Sequence, residues 1–233
     1  MQTTETSRWR FKGPEMEGPV ARWYTRVRGT ERQLAEYRKQ ASELTAGLPA
    51  GARVLEVAPG PGYLAVEMAR LGGLQVTGLD ISRTFVEIAR EHAREAGVRV
   101  DFRQGDVARM PFETGSFDLV VCQAAFKNFP HPLSALAEMH RVLRVGGIAL
   151  IHDMSRDATH DDIDREVREM GLGRISSFTT RGTLEMLKRR AYAPAQFKRL
   201  AAESLFRTCA IRTQGIGLEV RLKKEDPAYP SPA

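Results

Sequence analysis

Three carboxylates and a glycine turn carry the chemistry that this sequence offers. Gly60 and Gly62 lie in "RVLEVAPGPGYLAVEMA", where a predicted strand turns into a predicted helix. Missing side chains at such a turn let backbone amides approach a ligand at the positive end of the helix. Glu56 lies near the end of that strand, Asp80 ends the next one and Asp106 follows the third. Because the carboxyl ends of parallel strands share one crevice, we expect the three acids to converge on one ligand.

The acids distinguish between two classes of ligand. A dinucleotide pyrophosphate uses a G-x-G-x-x-G turn, and that fingerprint tolerates Ala65 at its third position. Glu56 would repel a pyrophosphate, whereas it would attract an ammonium group and a sulfonium. Asp80 can accept both ribose hydroxyls, and Asp106 can accept from the exocyclic amine of adenine. The residues therefore favour S-adenosylmethionine over a nicotinamide dinucleotide, which would give Asp106 no task.

The elements that must position these residues alternate from about residue 53 onward. Strands are predicted at 53–58, 74–80, 98–104, 117–123, 148–154, 207–214 and 217–224, and helices at 63–71, 82–96 and 132–143, the last stopped by Gly146 and Gly147. The last two strands are predicted to form an antiparallel pair. This order indicates an α/β fold, Rossmann-like, with a seven-stranded, mostly parallel sheet, an antiparallel terminal strand and helices on both faces.

Two segments flank the predicted domain of residues 53–225. Residues 1–52 carry Trp9, Phe11, Trp23 and Tyr24 and then an amphipathic stretch, which predicts a helical N-terminal cap. Residues 154–205 are predicted to form two or three short helices, inserted as a second cap. Residues 226–233, with three prolines, are predicted to be a disordered tail.

Four segments resemble, in order, the motifs of class I S-adenosylmethionine-dependent methyltransferases, particularly the type 11 group that includes ubiquinone/menaquinone biosynthesis-type enzymes. They are "VLEVAPGPGYLAVEMA", "VTGLDIS", "VDFRQGDVARMPFETGSFDLVVCQAAFKNF" and "ALAEMHRVLRVGGIALI", within residues 53–152. The resemblance implies S-adenosylmethionine as cofactor. On the methionine side, the resemblance implies a loop of Glu56, Ala58, Gly60 and Gly62, with Gln123 beside the methionine moiety. It implies that Asp80 and Ile81 bind the ribose and border the adenine. It also implies adenine contacts from Gly105, Asp106 and Val107. Ala58 departs from the family, which usually has glycine there.

The acceptor is expected to be small and partly apolar or aromatic, methylated on oxygen or carbon. It should meet the cofactor at the loop "QAAFKNFPHP", with Phe126, Lys127 and Asn128 on the substrate side together with Tyr24 of the N-terminal cap. That loop lacks the Asn-Pro-Pro-Tyr type of signature found in many enzymes that methylate exocyclic amines. Alignment of a nucleophile with the reactive methyl group can supply most of the catalysis.

His152 and His131 are the candidate general bases. His152 ends the predicted fifth strand, and His131 lies in the substrate-side loop before Pro132. The structural alternatives are a hydrogen-bonded strand-end residue for His152 and a solvated turn residue for His131.

Composition limits the other function classes. The net charge is +6 and the pI about 9.6, but a basic block at 181–200 is largely offset by an acidic block at 153–169, so nucleic acid is not favoured. Cys122 and Cys209 are expected to be buried thiols, and no metal-binding spacing is present. Without a signal peptide or an apolar run of membrane-spanning length, a cytoplasmic protein is expected. The oligomeric state stays open, a homodimer being one option. A non-catalytic or repurposed S-adenosylmethionine-binding protein and an RNA methyltransferase using the 181–200 block are the alternatives.

Overall fold

The chain folds around a single seven-stranded sheet with the strand order β3-β2-β1-β4-β5-β7-β6. The computed structural model describes residues 16–171 and 173–226, apart from the side chains of residues 174 and 175. The strands are β1 (Arg53–Val57), β2 (Gln75–Asp80), β3 (Asp101–Gln104), β4 (Phe117–Gln123), β5 (Leu143–Met154), β6 (Ala210–Gln214) and β7 (Gly217–Lys223). The helices are α1 (Gly18–Arg28), α2 (Glu31–Thr45), α3 (Tyr63–Arg70), α4 (Arg83–Glu95), α5 (Pro132–Val142), α6 (His160–Glu169), α7 (Arg174–Lys188) and α8 (Pro194–Glu203), with a 3₁₀ turn at Phe126–Asn128.

The predicted fold class is confirmed. Strands β1 to β5 pair in parallel, and β7 runs antiparallel to both β5 and β6. One helix stop was wrong: α5 ends at Val142, and Gly146 and Gly147 lie inside β5 instead of terminating the helix. Gly146 takes a positive φ of 79° and donates its amide to the Lys224 carbonyl at 2.8 Å. The glycines therefore shape the early part of a strand.

Alternation along the buried strands divides the core between the two faces of the sheet. Val54, Val121 and Leu150 pack toward α2, α3 and α4. Their neighbours Leu55 and Cys122 pack on the opposite face, toward α5 and α8. Packed helices on both faces of the sheet therefore fix the positions of β1 and β2. The candidate site lies at the carboxyl ends of these strands.

The cap segments are helical, as predicted. α1 and α2 precede the sheet, and α6, α7 and α8 lie between β5 and β6. Ile163 and Val167 of α6 form a small core with Leu184 and Leu187 of α7. Arg181 of the basic block lies 3.2 Å from Asp164 of the acidic block, so the two blocks partly pair with each other.

Several predictions fall at the limits of the described chain. Trp9, Phe11 and the predicted tail from residue 227 onward lie outside the described residues. Cys122 is buried as expected, whereas Cys209, just before β6, is only partly buried. Among the residues that the structure describes, no helix is long and apolar enough to cross a membrane, and no cluster of three or more histidine, cysteine or acidic side chains is arranged to hold a metal ion.

Candidate functional site

The turn after β1 is built from left-handed backbone. Ala58, Gly60 and Gly62 have φ values of 53°, 54° and 79°. A Cβ on Gly62 would lie 2.7 Å from the Ala89 Cβ, so glycine is needed there for the close packing of α3 on α4. A Cβ on Gly60 would meet nothing within 4 Å. Gly60 is therefore the point of the turn where backbone is open to a ligand.

Asp80 connects this turn to the end of β2. It is buried, and its two carboxylate oxygens accept from the amides of Gly60 and Ser82, each at 2.9 Å. Burial raises the pKa of Asp80 to about 6, against the lowering effect of these amides. Each oxygen keeps a lone pair for a further donor, so the same carboxylate can shape the turn and accept from a ligand.

Glu56 lies beneath the turn with an unsatisfied oxygen. Its side chain is 2% exposed, and Oε2 is buried without a hydrogen-bond partner. Burial raises its pKa to about 8, and the nearby Asp80 adds to the rise while the Ala65 amide opposes it. A buried carboxylate oxygen that lacks a donor is costly to a protein. The site therefore offers a cation a strong acceptor that the protein itself leaves unused.

Asp106 supplies a second unsatisfied oxygen beyond β3. Its Oδ1 accepts from the Ala108 amide at 2.9 Å, while Oδ2 is buried with no partner. The adjacent Gly105 donates its amide to the Asp80 carbonyl at 2.9 Å, which holds the two strand ends together. Val107 packs against the core, and Ile81 exposes 41% of its surface at the same edge of the sheet.

An arginine that the sequence did not single out lies on the cap next to this turn. Nη2 of Arg28, at the end of α1, donates to the Tyr37 hydroxyl at 2.9 Å, while its Nε is buried without a partner. Burial opposes the charge of Arg28, but Tyr24 and Tyr37 raise its pKa above the usual value. Tyr37 stacks on Tyr63, the first residue of α3, with ring centroids 5.8 Å apart. No motif or spacing marks Arg28, because only the return of α1 over the turn brings it there.

The chain just before α1 binds the start of α4, and we call Met16–Gly18 the N-terminal strap. The Glu17 carboxylate accepts from the amides of Arg83 and Thr84 at 2.8 and 3.0 Å and also from the Thr84 hydroxyl. The Ser82 hydroxyl donates to the Met16 carbonyl at 2.6 Å. Although partial burial opposes it, hydrogen bonds from Thr84 and Arg83 lower the pKa of Glu17. An acid at a helix N-terminus is stabilised by the helix dipole, so the strap is held beside Asp80.

Gln123, the last residue of β4, pairs with His152, which lies two residues before the end of β5. Nε2 of Gln123 donates to Oε1 of Gln40 on α2 at 2.6 Å. Nε2 of His152 lies 3.2 Å from Oε2 of Glu219 on β7. Burial lowers the pKa of His152, although Glu219 opposes this, so the imidazole is neutral at pH 7. His131 is exposed and is the residue just before α5.

The predicted substrate-side residues separate in the structure. Tyr24 on α1 is half-buried, with its ring 5.8 Å from that of Phe85. Phe126 is fully buried in the core against Phe197, and Lys127 forms a buried ion pair with Asp153 at 2.6 Å. Both side chains are therefore packed inside the protein beneath the loop, where they hold its backbone in place.

Asn128 completes this set. It ends the 3₁₀ turn and is half-buried, and its backbone N–H donates to the Ala125 carbonyl at 2.9 Å. Of the four predicted substrate-side residues, the structure therefore leaves Tyr24 and Asn128 with partly exposed surface.

The remaining predicted residues converge. The turn of residues 58–62, Glu56, Asp80, Ile81, Gly105 and Asp106 all lie at the carboxyl ends of β1, β2 and β3. Two buried acceptors without partners, an open glycine and an exposed apolar side chain fit a ligand with a cationic end, ribose hydroxyls and an adenine. S-adenosylmethionine has these three parts, so the residues present fit it.

Comparisons with known proteins agree with this geometry. Residues 55–151 match the family model described as a methyltransferase domain. The ubiquinone biosynthesis O-methyltransferase of Xanthomonas axonopodis pv. citri (strain 306) is 40% identical over 109 residues, which are 46% of this chain and 45% of that protein. The chain thus spans about half the length of the curated relatives it matches.

Solved structures share the fold over more of the chain. A methyltransferase dependent on S-adenosylmethionine from Aquifex aeolicus superposes with a TM-score of 0.64 over 87% of this chain and 97% of its own, at 16% identity. The cyclase SpnF is 32% identical, with a TM-score of 0.50 over 53% of this chain and 46% of its own. Residues 55–151 are thus similar to a methyltransferase domain, and the fold of the chain is similar to that of a methyltransferase dependent on S-adenosylmethionine.

Proposed function

We propose that the protein transfers a methyl group from S-adenosylmethionine to an oxygen atom of a small, partly apolar or aromatic acceptor. The observation that carries the proposal is the buried Glu56 oxygen without a partner below the open turn at Gly60. A pyrophosphate would meet a carboxylate there, whereas an ammonium or sulfonium group would satisfy it.

Each predicted cofactor-binding residue has a part in this proposal, and Arg28 is added from the structure. Glu56 accepts a hydrogen bond from the ammonium group of the cofactor. Arg28 binds the carboxylate of the cofactor through its Nε, which has no partner within the protein. Asp80 accepts from the ribose hydroxyls with its remaining lone pairs, and Asp106 accepts from the adenine amine. Ala58, Gly60, Gly62 and Gln123 border the methionine moiety, while Ile81, Gly105 and Val107 border the adenine.

The bound cofactor supplies an activated methyl group on a sulfonium. The protein must then hold the acceptor oxygen in line with that group and remove its proton, and positioning alone can contribute roughly 7–11 kcal/mol. We propose His152 as the base, because burial keeps it neutral and Glu219 lies 3.2 Å from Nε2, where it would stabilise the protonated ring. His131, exposed and apart from the strand ends, is the weaker candidate.

The acceptor assignment draws on the relatives and on the cap. Relatives that are about 40% identical over the matched region are named ubiquinone biosynthesis O-methyltransferases, which favours oxygen over carbon as the methylated atom. Tyr24, half-buried on α1 near the start of α4, offers an aromatic surface for such an acceptor.

Calorimetric titration of the purified protein with S-adenosylmethionine, S-adenosylhomocysteine and NAD tests the cofactor. We expect the first two to bind and NAD not to bind, because of Glu56. Methyl transfer to a set of catechols and other phenols, followed by mass spectrometry, then tests the acceptor class. Binding of NAD alone would refute the proposal.

A repurposed S-adenosylmethionine-binding protein is the second candidate, and the likeness to the cyclase SpnF favours it. This candidate predicts cofactor binding of normal strength with no transfer to any acceptor. An RNA methyltransferase is less favoured, since part of the 181–200 block is engaged with the acidic helix.

Three further statements remain predictions. A cytoplasmic location is the first of these. The division into a cap of residues 1–52, a domain of residues 53–225 and a tail is supported by the start of β1 at Arg53 and the end of β7 at Lys223. The oligomeric state is the third, with a homodimer as one option.

A further inference from the structure

A cavity, which we call the basic groove, lies far from the candidate site. Its volume is about 780 Å³, and five arginines line it: Arg53, Arg90, Arg94, Arg99 and Arg103. Arg53, Gln75 and Asp101 are the first residues of β1, β2 and β3, and all three also line it. The groove therefore lies at the amino ends of these strands, whereas the candidate site lies at their carboxyl ends.

The positive charge of the basic groove is only partly neutralised. Arg94 pairs with Glu91, and Nη2 of Arg103 lies 2.7 Å from Asp101. In the described part of the chain, Arg53, Arg90 and Arg99 have no carboxylate partner within ion-pair distance. Nε and Nη2 of Arg90 donate only to the Phe102 carbonyl, at 3.2 and 2.6 Å. An unpaired set of guanidinium groups around a cavity is suited to an anionic ligand.

The same Arg90 contact restricts how a ligand can lie there. The Phe102 carbonyl belongs to β3, the edge strand of the sheet. Because Arg90 already donates to this carbonyl, the Phe102 carbonyl is not free to pair with an added strand. A ligand is therefore expected to bind through side chains in the groove, without extending the sheet.

The rest of the lining distinguishes between kinds of anion. Leu74, Val98 and Val100 are half-buried and give the basic groove an aliphatic surface. Its two aromatic rings are covered: Arg103 lies over Phe112 at 5.2 Å, and Arg53 lies over the buried Phe117 at 5.7 Å. Single-stranded nucleic acids bind on open aromatic platforms, which the groove does not present. Arginine forks match carboxylates, and the aliphatic surface matches apolar side chains.

We propose that the basic groove docks an acidic segment of a partner polypeptide, with its carboxylates bound mainly by Arg53 and Arg99 and its apolar side chains on Leu74 and Val98. This interaction surface is separate from methyl transfer and does not depend on the proposed function. A partner bound there leaves the carboxyl ends of β1 to β3 free for cofactor and acceptor.

Fluorescence anisotropy of the full chain with a labelled peptide of Glu-Glu-Leu repeats tests the proposal, with labelled oligouridylate as the competing probe. The double variant Arg53→Glu/Arg99→Glu is expected to weaken peptide binding about tenfold or more, since two guanidinium contacts become repulsive. Arg189→Glu/Arg190→Glu is the matched control. It makes the same change in net charge at two exposed arginines of the basic block and should leave most of the binding intact.

Cofactor binding and thermal unfolding establish that both variants are folded, and Arg53→Gln/Arg99→Gln replaces the first variant should it not fold. The proposal is overturned when the groove variant binds the peptide like the unmodified protein, or when the control loses as much affinity. Preferential binding of oligouridylate also overturns it. Self-association of the protein that the groove variant abolishes, measured by sedimentation velocity, would assign the groove to a second copy of the chain and overturn the proposal as well.

Discussion

Replacing Glu56 by Gln should raise the unfolding free energy of the cofactor-free protein and lower the affinity for the cofactor. Burial raises the pKa of Glu56 from 4.5 to about 8, so the folded state prefers the protonated acid. A raised pKa gives stability that is complete below about 4.5 and is lost as the pH rises through about 8. At about 1.4 kcal/mol for each pH unit, the loss is on the order of 5 kcal/mol at full ionisation. Gln does not ionise, so Glu56→Gln avoids this loss.

Urea denaturation between pH 5 and 9 measures the effect on the free protein. The variant and the unmodified protein should be about equally stable near pH 5, and the variant should gain an advantage of roughly 3–5 kcal/mol toward pH 9. The control Glu87→Gln removes an exposed acid that pairs with Arg83 and should change stability by less than about 1 kcal/mol. If the stability of Glu56→Gln relative to the unmodified protein does not grow with pH, the raised pKa of a buried Glu56 is refuted.

The same substitution should cost cofactor affinity. Loss of one charge-assisted hydrogen bond corresponds to about 1.5–3 kcal/mol, or roughly ten- to hundredfold in Kd. Affinity of the unmodified protein should rise with pH up to about 8, as Glu56 ionises, and that part of the rise should vanish in the variant. Calorimetric titration measures both, and unchanged affinity would remove Glu56 from the site.

Four other substitutions probe the remaining features. Arg28→Met should weaken cofactor binding about tenfold through the lost carboxylate contact, and unchanged calorimetric affinity would exclude Arg28. His152→Ala should depress turnover while cofactor affinity stays nearly intact, and full activity would leave His152 a structural role. In the unmodified protein, turnover should decrease as the pH falls through the pKa of His152, which burial lowers from 6.5. Lys127→Met should destabilise the fold by about 3–5 kcal/mol in urea, because Asp153 stays buried without a cation and keeps only the backbone amides of residues 127 and 154 as donors, and a loss under about 1 kcal/mol would contradict this. Ala58→Gly should raise the stability by roughly 0.5–1 kcal/mol, since it removes a left-handed alanine, and a lower Tm would count against that strain.

The fold and the acidic part of the site follow from the sequence because local patterns specify them. β4 was predicted at 117–123 and is observed there, since the apolar run of residues 119–122, close to turn residues, forms the centre of a buried parallel strand. Once the strand order is known, Glu56, Asp80 and Asp106 are expected at one edge of the sheet, because the parallel strands that precede them end there.

The contacts that the sequence does not predict are those made between distant segments. Glu17 and Arg28 reach the site only because α1 folds back over the turn and α4, and no spacing encodes that return. Phe126 was predicted to face the substrate, but a 3₁₀ turn directs it into the core against Phe197, about seventy residues later in the chain. Composition alone does not tell which side of a loop an aromatic residue occupies.

The position of β7 sets the order in which the sheet can be assembled. β7 is the last described strand in the chain, yet it lies between β5 and β6. During synthesis β1 to β5 can pair as they emerge, but β6 has no neighbouring strand until β7 is made, and until then the outer edge of β5 stays open. Such an edge is a template for pairing between nascent chains. A chain that stops at residue 215 should therefore expose this edge and aggregate, whereas one that includes Lys223 closes it.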